Sequence, residues 1–323
     1  MAPYRAPAWL PGRHAQTIWP VLLKGPLPDY RRQRWDTPDG DFIDLDWITG
    51  QPGAPCVALF HGLEGSSRSH YARRLMRAAA LRGWHGVVIH FRGCSGEPNR
   101  LPRAYHSGDS AEIDWILRRL QASGHPALFA AGVSLGANAL LKWLGEQGRH
   151  AMSVIRAAAA VSAPLDLAAA NAALSSGFNR IYARHFLRTL IPAALAKEQR
   201  FPGRIDVGRA RAALTLRDFD DAVTPPLHGF LGADDYYARS SAGPLLAAVH
   251  TPTLLLHAAN DPFLPRAALP RREDLPSAVS IEVTAHGGHV GFVHDALPGR
   301  VDWLPQRLLA HFDAHLGCTG DMR

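Results

Sequence analysis

The 323-residue chain has little lysine, few cysteines and no long apolar run. Only Lys24, Lys142 and Lys197 among its 35 basic residues are lysines; the others are arginines. The arginines are scattered. The densest cluster, Arg31, Arg32 and Arg34, falls short of the block of about five or six like charges that marks an interaction tail. The net charge of +7 is therefore read as a solvated surface, and with no nucleic-acid-reading module beside it, no nucleic-acid partner is expected. Cys56, Cys94 and Cys318 are odd in number and irregular in spacing. That excludes a disulfide framework and a zinc site and points to a reducing compartment. No segment approaches the ~18 apolar residues of a membrane span. Prolines break the first residues, MAPYRAPAWLPGRHAQ, so no signal peptide is expected and the default location is the cytoplasm. Hydrophobic residues make up 47% of the chain, which excludes a mostly disordered protein.

What is present is an alternation. Residues 1–40 are rich in proline and arginine and read as an extended arm packed on a body, followed by one domain over 41–323. In Phe42 to Trp47, Ile43, Leu45 and Trp47 alternate with Asp44 and Asp46, the pattern of a half-buried strand. Cys56 to Phe60 is a short apolar run and predicts a buried strand. Over 69–82, Ala72, Leu75, Met76 and Ala79 recur at helical spacing, and Gly83 closes that helix. Strands at 87–91, 127–131 and 157–161 alternate with helices at 110–120 and 135–144. This is the rhythm of βαβ units and a mostly parallel sheet. It breaks at about 165–245, where helical pieces and prolines predict an inserted cap. It resumes with strands at 253–257 and 279–283 and a closing helix at 301–316.

The sharpest chemical signal is Gly132-Val-Ser134-Leu-Gly136. A strand before it and a helix after it are the context a nucleophile elbow requires. Glycines fit a strained turn that lifts the serine hydroxyl clear of the sheet and aims the Leu135 N–H and the helix N-terminus at a developing oxyanion. A serine needs a base. Asp261 follows the strand at 253–257 and His289 follows the strand at 279–283. Both are therefore in loops at the carboxyl ends of strands, in the order Ser, acid, His. His286 and His294 rival His289; Asp234 and Asp235 rival Asp261 but lie in the cap stretch. A His286/His289 metal pair lacks further ligands. Phe60-His61-Gly62-Leu63 follows the first buried strand, which nominates the Leu63 N–H as the second oxyanion donor.

Together these residues resemble an α/β-hydrolase, and the full set resembles the YheT-like branch. That branch is related to eukaryotic membrane-associated α/β-hydrolase-domain lipases and to yeast medium-chain ester synthase/esterases. The segments that carry the resemblance include Pro11-Gly-Arg-His14-Ala-Gln-Thr17-Ile, His61-Gly-Leu-Glu-Gly-Ser-Ser67, Phe91-Arg-Gly-Cys-Ser-Gly-Glu-Pro-Asn99, Tyr105-His-Ser-Gly108 and Gly287-Gly-His-Val-Gly-Phe292. Two departures stand out. Gly136-Ala137-Asn138 replaces Gly-Gly-Asn, and Asn260-Asp261-Pro-Phe263 replaces Asp-Asp-Pro-Phe, which leaves Asp261 as the acid.

The resemblance implies an α/β-hydrolase fold, a mostly parallel sheet with helices on both faces and a helical cap. It also implies a serine esterase acting on short- to medium-chain acyl esters or lipid-like substrates, with no cofactor and no metal. Thioesterase, amidase, peptidase, lipase or phospholipase, and alcohol acyltransferase chemistry use the same triad and stay open, as does a non-catalytic ligand-binding protein of the same fold. Phe91-Arg92-Gly93 and Tyr105-His106 have no assigned step and read as a turn held by side-chain hydrogen bonds. In the cap, Phe178, Tyr182, Phe186, Leu187, Leu190, Phe230 and Tyr236 fit either an acyl pocket or ordinary packing. An arginine-flanked amphipathic cap also fits peripheral contact with a membrane.

Overall fold

A computed structural model describes residues 2–23 and 25–317; Cys318 lies outside them. Eight strands form one sheet in the order β1-β2-β4-β3-β5-β6-β7-β8. They are β1 (Arg31–Asp36), β2 (Phe42–Ile48), β3 (Cys56–Phe60), β4 (His85–Ile89), β5 (Leu128–Val133), β6 (Ala157–Val161), β7 (Thr253–Ala258) and β8 (Val279–Thr284). β1 and β2 pair antiparallel at one edge, and β4 through β8 run parallel with β3.

Burial of the sheet on both faces follows from the strand sequences. In β3, Cys56, Ala58 and Phe60 enter one core with α3 (Ser110–Gln121) and α4 (Leu135–Gln147). Val57 and Leu59 enter a second core with α2 (His70–Leu81) and α10 (Trp303–Asp313). Both sets are apolar because parallel strands covered on both faces have no solvent side. The α2 stripe Ala72, Leu75, Met76 and Ala79 is the buried one. Between β6 and β7 the chain is helical: α5 (Leu167–Leu174), α6 (Arg180–Arg200), α7 (Val207–Ala212), α8 (Leu216–His228) and α9 (Ala233–Ser240).

Two local expectations are corrected. β2 is not half-buried: Asp44 and Asp46 are only 1% and 4% exposed. Arg34 and Arg32, on the neighbouring β1, fork onto these carboxylates at 2.8 Å, and His90 Nε2 and Ser67 Oγ reach Asp46 at 2.9 and 2.6 Å. Buried carboxylates are tolerated where such partners replace water. The first 40 residues are not simply extended either. They hold the helix α1 (Arg13–Leu22) and the edge strand β1, whose exposed arginines blunt the sheet edge against further pairing.

Candidate active site

The turn from β5 into α4 places Ser134 at φ 53°, ψ −119°. A non-glycine residue there carries roughly 1–3 kcal/mol of backbone strain, held by its surroundings. The Ser134 N–H donates to the Val161 carbonyl at 2.8 Å, and the Ser134 carbonyl accepts from Ala137 and Asn138. Gly136 is required by close approach: a Cβ there would lie 2.5 Å from the carbonyl oxygens of Phe60 and His61. The elbow thus rests on the end of β3, with the positive end of α4 behind the serine.

Asp261 and His289 come to the same place from the ends of β7 and β8. His289 Nε2 lies 3.0 Å from Ser134 Oγ, and His289 Nδ1 lies 2.8 Å from Asp261 Oδ2. The other carboxylate oxygen of Asp261 accepts the Phe263 N–H at 2.8 Å, and the Phe263 ring packs 4.3 Å from the imidazole. Both faces of the Asp261–His289 contact are therefore oriented. The rivals lie elsewhere. His294 pairs with Asp302 and Asp295, Asp234 pairs with Arg217, Asp235 pairs with Arg239, and His286 is exposed.

The N-terminal segment holds the histidine loop, a contact that sequence reasoning missed. Thr17 Oγ1 accepts the His289 N–H at 2.9 Å, and Gln16 Oε1 accepts the Gly287 N–H at 2.9 Å. Asn260 Nδ2 also donates to Gln16 Oε1, while Asn260 Oδ1 accepts the Gly288 N–H. This accounts for asparagine at 260. An aspartate would set a second acceptor against Gln16 Oε1. A Cβ on Gly291 would fall 2.0 Å from the Gln16 carbonyl oxygen, so the loop's glycine admits the segment. The available signal was the Gln16-Thr17 pair in one of the segments that carried the resemblance.

The loop after β3 is held from both sides. The Gly62 N–H donates to Tyr71 OH at 2.9 Å, and the Glu64 N–H donates to Tyr105 OH at 2.9 Å. Burial raises the Tyr105 phenol well above its ordinary pKa, so it also donates, to Glu64 Oε1 at 2.8 Å. The Leu63 N–H between these two amides has no partner among the described residues. At the first position of α4, the Leu135 N–H has no intrahelical acceptor. His61 lies beneath this loop. Its Nδ1–H donates to the Gly62 carbonyl at 2.8 Å, and its Nε2 accepts the Phe91 N–H at 3.2 Å.

Two other motif residues prove to be buried links. Asn138 donates to the Ser107 and Ser240 carbonyls and accepts from the Ala242 N–H, joining α4 to the loop before α3 and to the end of α9. Arg92 is buried among Asp39, Asp41 and Glu112 at 2.6–3.1 Å, which accounts for the Phe91-Arg92-Gly93 turn as a packed turn held by side chains.

Ser134 and His289 open onto a cavity of about 1240 Å³. Tyr182, Phe186, Leu190 and Tyr236 line it, together with Leu174, Phe219 and Val223. Phe178, Leu187 and Phe230 do not border it: Leu187 is buried among the helices, and Phe230 packs on Tyr236 and His106. Such an apolar chamber beside an oriented hydroxyl suits a long apolar ligand with one polar reacting group.

The α/β-hydrolase fold family matches residues 55–296. YheT of Escherichia coli (strain K12) is 42% identical over 304 residues, covering 91% of this chain and 88% of that protein. Human phospholipase ABHD3 is 29% identical over 91% of this chain and 74% of its own length. The solved Pyrococcus furiosus esterase Pf2001 superposes with a TM-score of 0.56 at 16% identity, over 90% of this chain and 92% of that one, a likeness of fold. The chain belongs to the α/β-hydrolase family, in its YheT-like branch.

Proposed function

We propose that this protein hydrolyses carboxylic esters of lipid-like acyl groups through an acyl-enzyme on Ser134. Ser134 Oγ attacks the ester carbonyl as His289 Nε2 takes its proton. Asp261 holds the Nδ1–H tautomer and stabilises the imidazolium. The tetrahedral oxyanion is met by the Leu63 and Leu135 N–H groups. His289 returns the proton to the departing alcohol oxygen, leaving the acyl group on Ser134. A water then attacks, giving its proton to His289, and the acid leaves as the proton returns to Ser134 Oγ.

The observation that carries this reading is the hydrogen-bonded row from Ser134 through His289 to Asp261 at the floor of an apolar cavity. The cavity exceeds the roughly 300–1,000 Å³ of ordinary small-molecule sites, which favours a long acyl chain. The named activity of the human relative, a phospholipase, favours a lipid ester in the same way. In this reading the helices from α5 to α9 act as the cap over the site.

The test is hydrolysis of p-nitrophenyl esters of graded chain length by the wild type and by Ser134→Ala. Turnover that rises toward longer chains and vanishes in the variant is expected. Turnover retained by Ser134→Ala, or no turnover with no labelling of Ser134 by a fluorophosphonate, overturns the reading.

A further inference from the structure

The cavity mouth carries two outward stripes that hydrolysis does not use. On α1, Ile18, Val21 and Leu22 stand at i, i+3 and i+4, away from the buried Gln16, Thr17 and Pro20, and Leu22 is 70% exposed. On α6, Ile181, Arg184 and Arg188 stand at i, i+3 and i+7, all exposed. The two helices are neighbours: His14 Nδ1 lies 3.2 Å from Tyr182 OH, and its ring packs 4.3 Å from Phe178, itself half exposed. All six stripe residues border the chamber that holds Ser134, as does the exposed Arg68.

Single exposed apolar side chains are ordinary on a protein surface. Several gathered around one opening are not. The cations beside them are also uncommitted: Arg68, Arg184 and Arg188 have no ion-pair partner among the described residues. The nearby carboxylates are engaged elsewhere, Glu97 with Arg34 and Glu64 with Tyr105. The amphipathic surface expected in the cap is therefore shared, with much of its apolar part on α1 and two of its free cations on α6.

We propose that this rim docks on the surface of an anionic lipid bilayer. Val21, Leu22 and Ile181 enter the boundary between headgroups and acyl chains, and Arg68, Arg184 and Arg188 face the lipid phosphates. An ester in the bilayer then reaches the cavity without its chain crossing water. The apolar half of the rim favours a bilayer over an acidic protein, which the arginines alone would also suit. The benefit to turnover rests on the esterase reading above; the docking itself does not.

The test is sedimentation of the full chain carrying Ser134→Ala with vesicles of phosphatidylcholine, or of an equimolar mixture with phosphatidylglycerol. Binding to the mixed vesicles that falls as salt rises is expected, with far less on phosphatidylcholine. Arg184→Gln with Arg188→Gln weakens binding about 25-fold, taking roughly fivefold per cation. Val21→Ser with Leu22→Ser weakens it as well, at low salt. Thermal melting checks that each variant is folded.

No binding to either vesicle, or binding that ignores both double variants, overturns the proposal. So does a loss confined to the arginine pair, which shows charge attraction alone, with no entry of the apolar stripe into the bilayer. If Ser134→Ala binds mixed vesicles in this pattern while the wild type hydrolyses no ester, the docking surface is supported and the esterase reading falls.

Discussion

His61 ties the stability of the fold in acid to the loop that carries Leu63. It is fully buried, and both ring nitrogens are committed in the neutral form, one donating to Gly62 and one accepting from Phe91. Burial lowers its pKa from 6.5 to about 3. Above pH 6.5 the imidazole is neutral in both folded and unfolded chains. As pH falls below 6.5 the unfolded chain takes up a proton that the folded chain refuses until about pH 3, so stability is lost across that window. Between about pH 7.5 and about pH 5 this one group costs about 2 kcal/mol. Two half-buried histidines act in the same direction. Burial lowers His106 and His228 to about 3, so the whole protein loses more than His61 alone accounts for. Urea unfolding of the wild type and His61→Gln at both pH values isolates one proton. The variant starts less stable but should lose about 2 kcal/mol less on acidification. An equal loss in both proteins would refute the argument that His61 stays neutral in the fold.

Asp261→Asn should lower kcat about 10⁴-fold with little change in KM, because an amide there favours the wrong imidazole tautomer; steady-state kinetics on a soluble ester reads this directly. Asn138→Ala leaves two buried carbonyls and one buried N–H without partners, a cost of about 3 kcal/mol or more. Chemical denaturation should find it even though the residue touches no substrate. Gly136→Ala drives a methyl into two carbonyl oxygens at 2.5 Å. It should lower Tm far more than Gly40→Ala, whose added Cβ meets no atom within 4 Å and which bears only the cost of a positive φ. Tyr105→Phe frees the Glu64 amide beside Leu63 and should reduce kcat with KM nearly kept, as split by initial rates at several substrate concentrations.

Much of the architecture was legible because it is local. Apolar runs of five or six residues, separated by helical stripes such as Leu75–Met76–Ala79, announce parallel strands and their covering helices wherever they occur. The Ser134 elbow was legible for the same reason: strand, glycine-flanked serine and helix are consecutive. Asp261 and His289 could be nominated from their places after strands, since the carboxyl ends of a parallel sheet share one edge. What periodicity could not see is what lies far away in sequence. Asp44 and Asp46 read as a solvent face until Arg34 and Arg32, on another strand, replaced the water. Seven aromatic and aliphatic residues of the helical stretch read alike, and only packing divided those that border the cavity from those that do not. Gln16 and Thr17 hold a loop some 272 residues away along the chain. Local sequence sets backbone preference and which face is apolar, because those depend on neighbours. Which polar group answers a buried amide or carboxylate is decided only when the chain closes on itself, because that partner can come from any part of it.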